Sequence, residues 1–297
     1  MEPPDLPALL ASWRRHLEAE HKSPHTLKTY TDGVTAFLAW CQAGDRPAVL
    51  DEDTVVDWIA SLYEAGKTPA TAVSRQAAVR RFSKWLARKG YIDADLLRDL
   101  DRPKLDEPAV LPLTDLQLRA LLATCKGREF HHVRDRAMIM LMFETGLRAA
   151  ELTAMTVDDV NLDARLAVIR RGKGGKGRLV RFSPQCNAAL DDYAHLRRRH
   201  QRAPSAAFWL GADGREFGYW GLYHAIRRRG ETAGLPDLHP HQLRSTSAVR
   251  WLKKGGSATG LMAQAGWASV DMLRRYIRAA ESELAAEEAD RLSLGDI

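Results

Sequence analysis

The sequence predicts a mainly α-helical protein with two domains, and three observations lead to that prediction. The chain has 297 residues, more than one ordinary hydrophobic core usually organises. Apolar residues recur at helical spacing through most of its length. The segment "DRPKLDEPAVLPLT", residues 101–114, holds three prolines and has no apolar period, which is typical of a linker. We therefore predict a helical domain over residues 1–105 and a second domain over residues 106–297.

The first domain reads as a small helical bundle. One helix is predicted from the Ser23 cap and Pro24 to near Gly44, and another from Thr68 to Gly90. Shorter helices are predicted over residues 6–20, 52–65 and 93–100. Five cations of this domain are candidates for DNA phosphate contacts, although a solvated face is the favoured explanation for any single one of them: Lys28, Arg75, Arg80, Arg81 and Lys84.

The second domain is predicted to be mixed, with helices around a small β-sheet. A helix should begin at Thr114, and "RDRAMIMLMFETG" is an apolar helix that ends at Gly146. The segment "RLAVIRRGKGGKGRLVRFSP" has a short apolar run on either side of a glycine-rich turn. This pattern predicts a β-hairpin with a basic tip that carries Lys173 and Lys176.

Charge and composition indicate which kinds of partner and which cellular location to expect for this protein. The net charge is +6, and residues 106–276 carry 27 Lys and Arg against 17 Asp and Glu, so this segment favours a polyanionic partner such as DNA. No segment approaches the ~20 apolar residues of a membrane helix, and the N-terminus lacks the order of a signal peptide, so we expect a cytoplasmic protein. The three cysteines are widely spaced, which fits reduced thiols and neither a disulfide framework nor a zinc site.

Four short motifs in the second domain hold candidate chemical groups. "TGLRAAEL" places Arg148 and Glu151 three residues apart, and "LHPHQLRST" does the same with His241 and Arg244, so each pair can share a helix face. "AQAGWASVDMLRRY" puts Trp267 nine residues before Tyr276, and the hairpin tip supplies lysines. Each motif alone also has an ordinary explanation: a surface arginine, a polar helix start, a core aromatic or a solvated turn.

Taken in this order, the motifs resemble those of the tyrosine recombinases, the family of phage integrases and of Xer-like and Cre-like recombinases. The resemblance spans nearly the whole chain, because "SPHTLKTYTDGVTAFLAW" is similar to the core-site DNA-binding domain of that family. Trp267 stands where most members have histidine. The resemblance implies six catalytic residues, with Glu151 supporting them: Arg148, Lys173, His241, Arg244, Trp267 and Tyr276.

The resemblance also implies a mechanism and partners. Tyr276 would attack a DNA phosphodiester and form a 3′-phosphotyrosine link, without metal, ATP or another cofactor. Two arginines suit this chemistry because their planar guanidinium groups can bind the developing charge on the phosphate oxygens. Lys173 would protonate the leaving 5′-oxygen, and His241 would handle protons. The implied partner is double-stranded DNA with paired inverted core sites, bound by a homotetramer that is a monomer when free.

Other readings of the sequence lead to different expectations. Tyr219 and Tyr223, in "GYWGLYHAIRRRG", are rival nucleophiles, and the arginines that follow, Arg227, Arg228 and Arg229, are candidate phosphate contacts. A type IB topoisomerase would use the same chemistry without a partner site. A catalytically silent DNA-binding regulator would keep the basic surface without needing all six residues.

The C-terminal segment, residues 279–297, reads as an acidic amphipathic helix with Leu284, Ala285, Ala289 and Leu292 at helical spacing. Its apolar stripe needs a surface to cover. The helix could pack on its own domain. The resemblance instead implies that it docks on a neighbouring protomer, which is the hypothesis we carry forward.

Overall fold

Four helices, each begun by a side-chain cap, build the first part of the chain. They are α1 (Leu6–Ala19), α2 (Pro24–Ala43), α3 (Glu52–Glu64) and α4 (Pro69–Lys89). The side chains of Asp5, Ser23, Asp51 and Thr68 accept hydrogen bonds from the first turns of these helices. The computed structural model describes residues 4–104, 110–170, 177–212 and 214–292, and the chain divides into two compact units, residues 1–108 and 109–297.

Helices α2 and α4 pack closely at Gly33, where a Cβ atom would lie 2.6 Å from the Cβ of Ala78. Around them, Trp13, Phe37, Trp58 and Phe82 form a buried aromatic core. These large aromatic side chains, packed with aliphatic residues of the same cluster, hold the first unit together.

The helix predicted over residues 93–100 is wrong, because this segment is a series of turns. Asp95 accepts hydrogen bonds from the Ser83 hydroxyl (2.5 Å) and from the backbone N–H of Leu97 (3.3 Å). Arg80 donates to the carbonyl oxygens of Leu97 (3.1 Å) and Arg98 (2.8 Å). Side chains thus take the backbone groups that a helix would have used.

The second unit contains nine α-helices and a small sheet within the described residues. The helices are α5 (Asp115–Ala123), α6 (Phe130–Thr145), α7 (Ala149–Thr153), α8 (Pro184–Arg197), α9 (Tyr219–Thr232), α10 (Pro240–Lys253), α11 (Ala258–Ala265), α12 (Val270–Ile277) and α13 (Glu281–Leu292). The strands are β1 (Val160–Asn161), β2 (Leu166–Ile169) and β3 (Arg178–Arg181). They pair antiparallel in the order β1-β2-β3, with Leu166 opposite Arg181.

Helix α6 lies at the centre of the larger core of this unit, as its apolar sequence predicts. A smaller cluster contains Ala248, Leu261, Trp267, Leu273 and Tyr276. The main α-helical class with a small sheet is therefore confirmed, and the sheet has one strand more than the predicted hairpin. Within the described ranges, no helix combines the length and apolar character needed to cross a membrane.

Candidate active site

Arg148 is placed by the end of one helix and the start of the next. Helix α6 ends at Gly146, whose φ of +65° lies in the left-handed region that glycine adopts without strain. The chain then turns, and Arg148 becomes the residue that precedes α7. Its backbone N–H donates to Glu151 Oε2 (2.9 Å) and its Nη1 donates to Glu151 Oε1 (2.8 Å). The side chain of Arg148 remains 26% exposed.

Glu151 also binds Arg178, a residue that sequence reasoning missed. Arg178, at the start of β3, donates from Nη1 to Oε1 (3.0 Å) and from Nη2 to Oε2 (2.8 Å). Burial alone would raise the pKa of Glu151, but hydrogen bonds from Arg178 and Arg148 outweigh it and lower that pKa. The available signal was an arginine directly after the glycine-rich turn, which nothing in the sequence connects to Glu151.

Arg244, on α10, carries its guanidinium into the protein interior, where the residue is 2% exposed. Its Nη1 donates to the carbonyl oxygen of Gly146, and its Nη2 donates to that of Ala265 (2.8 Å). Its Nε is buried and has no partner among the described residues. Burial lowers the pKa of Arg244 to about 10, and the contact with Tyr276 offsets part of that effect. The side chain therefore stays charged at neutral pH.

Tyr276 lies between two rings and beside this buried charge. Its ring stacks on Trp267, with centroids 4.7 Å apart, and packs against His241 at 4.8 Å. Arg244 Cζ lies 5.3 Å from the Tyr276 ring centroid and 5.1 Å from the Trp267 ring centroid. The indole N–H of Trp267 is buried and has no partner among the described residues. Trp267 is thus both a core aromatic and a neighbour of the candidate nucleophile.

His241 is held in its neutral form. Desolvation of the ring, followed by the positive charges of Arg244, His239, Arg275 and Arg148, lowers its pKa to about 4. The residue as a whole is nevertheless exposed. At pH 7 the imidazole therefore has a free lone pair beside Tyr276 and can accept a proton.

The structure thus brings five of the six predicted catalytic residues together with Glu151. Arg148 and Arg244 each donate a hydrogen bond to one short segment, residues 265–266. The rings of Trp267 and His241 both contact the ring of Tyr276. Lys173, the sixth, and Lys176 lie outside the described residues.

The predicted DNA-contacting cations of the first unit differ in their availability. Lys28 is exposed and pairs with Asp32 at 2.7 Å, and Arg81 is exposed above the Tyr30 ring. Lys84 is exposed and Arg75 is half-buried. Arg80 is bound to the two backbone carbonyls described above, so its guanidinium has a structural partner where a phosphate contact was predicted.

The arginines of α9 also separate into two groups. Arg227 is exposed and paired with Glu231 (3.3 Å), and Arg228 is 62% exposed. Arg229 is buried, and its Nε donates to Asp135 Oδ2 at 2.9 Å. The prediction of Arg229 as a phosphate contact is therefore wrong, because the guanidinium is committed to the interior.

Tyr219 and Tyr223, the rival nucleophiles, lie at the first turns of α9. They stack on one another at 6.4 Å and pack around Trp220, which is 67% exposed. Arg227 hydrogen-bonds to Tyr223, but this arginine is exposed, whereas the arginine beside Tyr276, Arg244, is buried. The rival tyrosines thus form part of an exposed aromatic surface.

One group of potential metal ligands occurs among the described residues, at the start of α6. Atoms of Glu129, His131 and His132 lie within 4.8 Å of one another. Arg229 Nη1 donates to His132 Nδ1 (3.3 Å), and both histidines lie in the first turn of a helix, whose dipole disfavours a cation. The surrounding charge therefore does not suit a metal ion, and we assign none.

The chain is similar in sequence to known proteins. Residues 112–283 match the phage integrase family, and residues 10–90 match the N-terminal SAM-like domain of phage integrases. A tyrosine recombinase XerC of Mycobacterium tuberculosis is 32% identical over 276 residues, covering 89% of this chain and 91% of the relative. A XerC of Chromohalobacter salexigens is 31% identical over 267 residues, covering 89% and 88% of the two chains.

Solved structures show the same fold. The Tn1549 transposon integrase in complex with transposon right end DNA has a TM-score of 0.75 at 17% identity, with 96% of this chain and 98% of that chain covered. The XerH recombinase bound to difH substrate in its post-cleavage complex has a TM-score of 0.73 at 19% identity, with 89% and 79% covered. The family match over most of the second unit and the identity to the XerC proteins establish that this chain belongs to the phage integrase family of tyrosine recombinases.

Proposed function

We propose that this chain is a site-specific DNA recombinase or integrase in which Tyr276 is the nucleophile. The observation that supports the proposal is the set of side chains around Tyr276. Trp267 and His241 lie against its ring, and the buried charge of Arg244 lies beside it. In the reaction, the Tyr276 oxygen bonds to phosphorus while the bond to the 5′-oxygen breaks. The product is a 3′-phosphotyrosine link that conserves the bond for rejoining, without metal or ATP.

The donors around Tyr276 suit a phosphate group. Arg244 Nε and Trp267 Nε1 are buried donors that lack partners among the described residues, and an unsatisfied buried N–H costs about 1–3 kcal/mol. A non-bridging phosphate oxygen at this position would satisfy such donors. Of the five side-chain N–H groups of Arg148, two have recorded partners, Glu151 and the Gly266 carbonyl. The others are available to a second phosphate oxygen.

Proton transfer follows from the charge states. The lowered pKa of His241 keeps its imidazole neutral at pH 7, so the ring is an acceptor for the phenolic proton as Tyr276 attacks, and the same lowering makes it a weaker base than an ordinary histidine. Lys173 would give a proton to the departing 5′-oxygen. The similarity of the "GKGGKG" motif to the hairpin of the family supports this role of Lys173. Arg148 and Arg244 remain charged throughout and stabilise the additional negative charge of the transition state.

The substrate we propose is double-stranded DNA with paired inverted core sites. The first domain, residues 1–105, would bind the core site, and residues 106–297 would carry catalysis. The exposed cations Lys28, Arg81, Lys84, Arg227 and Arg228 would contact phosphates, together with the half-buried Arg75. We propose a monomer in solution and a homotetramer on two synapsed sites in the cytoplasm, bound to the nucleoid.

Covalent capture tests this function directly. The full chain is incubated, in buffer containing EDTA, with nicked duplexes of randomised sequence, and DNA that stays attached after detergent denaturation is sequenced. We expect an adduct on one sequence class, with the DNA attached to the peptide that contains Tyr276. Tyr276→Phe should bind the same DNA and give no adduct, and Tyr219→Phe is the matched control that should react as the parent does.

The outcomes also separate the alternatives. Covalent capture of DNA by Tyr276→Phe would reject the assigned nucleophile. Relaxation of a supercoiled plasmid that lacks the captured sequence would indicate a topoisomerase. DNA binding without any adduct in the parent would indicate a regulator.

A further inference from the structure

Three arginines bind three consecutive carbonyl oxygens at the end of α11. Arg178 Nε donates to Gln264 O (2.8 Å), Arg244 Nη2 to Ala265 O (2.8 Å) and Arg148 Nη2 to Gly266 O (3.3 Å). We call residues 264–266 the arginine-bound turn. These are orphan carbonyls of a helix C-terminus, where the helix dipole favours positive charge. Trp267 follows the turn directly, so the two catalytic arginines and the indole share one support.

Arg178 is the member of this set that lacks a place in the proposed chemistry. Its side chain is 11% exposed and bonds to both oxygens of Glu151, whose side chain is 4% exposed. One guanidinium edge therefore holds the carboxylate while Nε holds the turn. The turn is also shaped around it, since a Cβ on Gly266 would lie 2.8 Å from Arg178 Nη1.

The charges show what this contact does for Arg148. Two arginines share one ionised carboxylate, and Arg178 engages both of its oxygens, so the side chain of Arg148 obtains a single bond, from Nη1 to Oε1. An isolated arginine–carboxylate pair prefers a bidentate arrangement. Without Arg178, Glu151 would be free to turn toward Arg148 and occupy N–H groups that the phosphate needs.

We propose that Arg178 is a positioning residue, which aims Arg148 at the scissile phosphate by holding Glu151 and the arginine-bound turn. The inference rests on the proposed function. Arg178 itself does not touch the phosphate in this account. It restrains the carboxylate that competes for Arg148, and it fixes the backbone on which Arg148, Arg244 and Trp267 depend.

The first test compares two substrates that differ in charge. Duplexes of the captured sequence carry either the normal phosphate or an uncharged methylphosphonate at the cleavage position. Arg178→Met should lower single-turnover cleavage of the phosphate by roughly 10²-fold, the scale of a small misplacement of catalytic groups. Cleavage of the methylphosphonate should fall much less, because a neutral group does not need the arginine pair. Arg178→Lys should restore part of the loss.

Arg197 provides the matched control. Arg197 is buried and donates hydrogen bonds to four backbone carbonyl oxygens between residues 203 and 208, including Phe208 O (2.9 Å) and Ala203 O (3.2 Å). Arg197→Met should lower the melting temperature and reduce cleavage of both substrates by the same factor. An equal loss on both substrates for Arg178→Met as well would overturn the positioning role.

The second test needs no DNA. Hydrogen exchange measured on the full chain should show faster exchange of the backbone amides of residues 264–268 in Arg178→Met, with the core of α6 unchanged. Unchanged exchange in this segment would overturn the inference whether or not the parent cleaves DNA. If the parent forms no Tyr276 adduct while exchange increases, the proposed function fails and the support of the turn by Arg178 stands.

Discussion

The contacts of Arg244 indicate why a lysine should not replace an arginine at this position. Its guanidinium uses Nη1 and Nη2 to bind two carbonyl oxygens on different segments, and its flat face lies near two aromatic rings. An ammonium group presents three donors from one point and has no planar face. A lysine at position 244 would keep the positive charge. It would not reproduce the directions of the N–H groups that Arg244 does not use for these two carbonyl oxygens.

We therefore expect Arg244→Lys and Arg148→Lys each to slow covalent adduct formation by ~10²–10³-fold, the loss typical of one oxyanion donor. Single-turnover cleavage of the captured duplex measures this. Arg170→Lys is the control, because Arg170 is 61% exposed and pairs with Asp159. Parental rates in both catalytic variants would contradict the proposed arginine pair.

His241 gives a prediction for stability against pH. Its pKa is lowered from 6.5 to about 4 in the folded protein, so between these values the unfolded chain binds more protons than the folded one. The free energy of unfolding must therefore fall as the pH drops from about 6.5 toward 4.

His241→Asn should remove this contribution, so its midpoint of urea unfolding should fall less steeply than that of the parent across the same pH range. The magnitude should be modest, because the residue is exposed and solvent screens its neighbours. Identical slopes for the two proteins would show that His241 titrates normally.

At the scale of helices and strands, the residues at helix starts and in turns explain which helices could be predicted from the sequence and which could not. Ser23 and Thr68 are followed by proline and mark helix starts in any context, so α2 and α4 were predictable. The failed helix over residues 93–100 depends on Arg80 and Ser83, which are distant in sequence. Local propensity cannot register such partners.

The candidate site divides in the same way. The motif order and spacing identified Arg148, His241, Arg244, Trp267 and Tyr276 because each motif is local. Arg178 was missed because its role depends on Glu151 and Gln264, 27 and 86 residues away. Arg178, Glu151 and Gln264 meet only because strand β3 lies next to helices α7 and α11 in the folded protein.

Gly266 allows a test of how the arginine-bound turn affects both stability and DNA cleavage. Its φ is +65°, and an alanine there would both adopt the left-handed region, at a cost of about 1–2 kcal/mol, and approach Arg178 Nη1. Gly234 has a φ of +75° in the same unit with no atom within 4 Å of the position of a Cβ.

Gly234→Ala should therefore lower the free energy of unfolding, measured with denaturant, only by the cost of the left-handed backbone conformation. It should cleave the captured duplex as the parent does. Gly266→Ala should lose more stability and also cleavage. Equal behaviour of the two variants would show that the contact between Gly266 and Arg178 has no consequence.

At the scale of the whole molecule, the distribution of charge separates the C-terminal helix from the rest. Residues 277–297 hold six acidic against two basic side chains, after the basic segment that contains the site. Helix α13 has no buried residue. It meets its own domain through Lys253, whose Nζ binds Glu283 (2.6 Å) and Glu287 (2.9 Å), and through Leu284, which is half-buried beside a cavity of about 470 Å³.

This attachment in cis is weak by its nature. Exposed ion pairs contribute roughly 0–1 kcal/mol each, and beyond the half-buried Leu284 the apolar stripe of α13 is exposed, with Leu292 54% exposed. A helix held in this manner can leave its own domain at little cost and cover its stripe on a neighbouring protomer. Docking in trans therefore stays our prediction for the assembled complex.

A protein that ends at Ala280 should test this prediction. It should unfold at nearly the parental denaturant concentration, because none of the removed residues that the structure describes, 281–292, is buried, and it should bind a single half-site as a monomer. It should lose cooperative binding to paired sites and strand exchange, measured by band shifts on half-sites and full sites beside a recombination assay. Lys253→Met is the matched control, since it breaks both ion pairs in cis but keeps the helix, and it should recombine as the parent does. Full cooperativity in the truncated protein would reject docking in trans, whereas loss of folding on truncation would show that α13 belongs to its own domain.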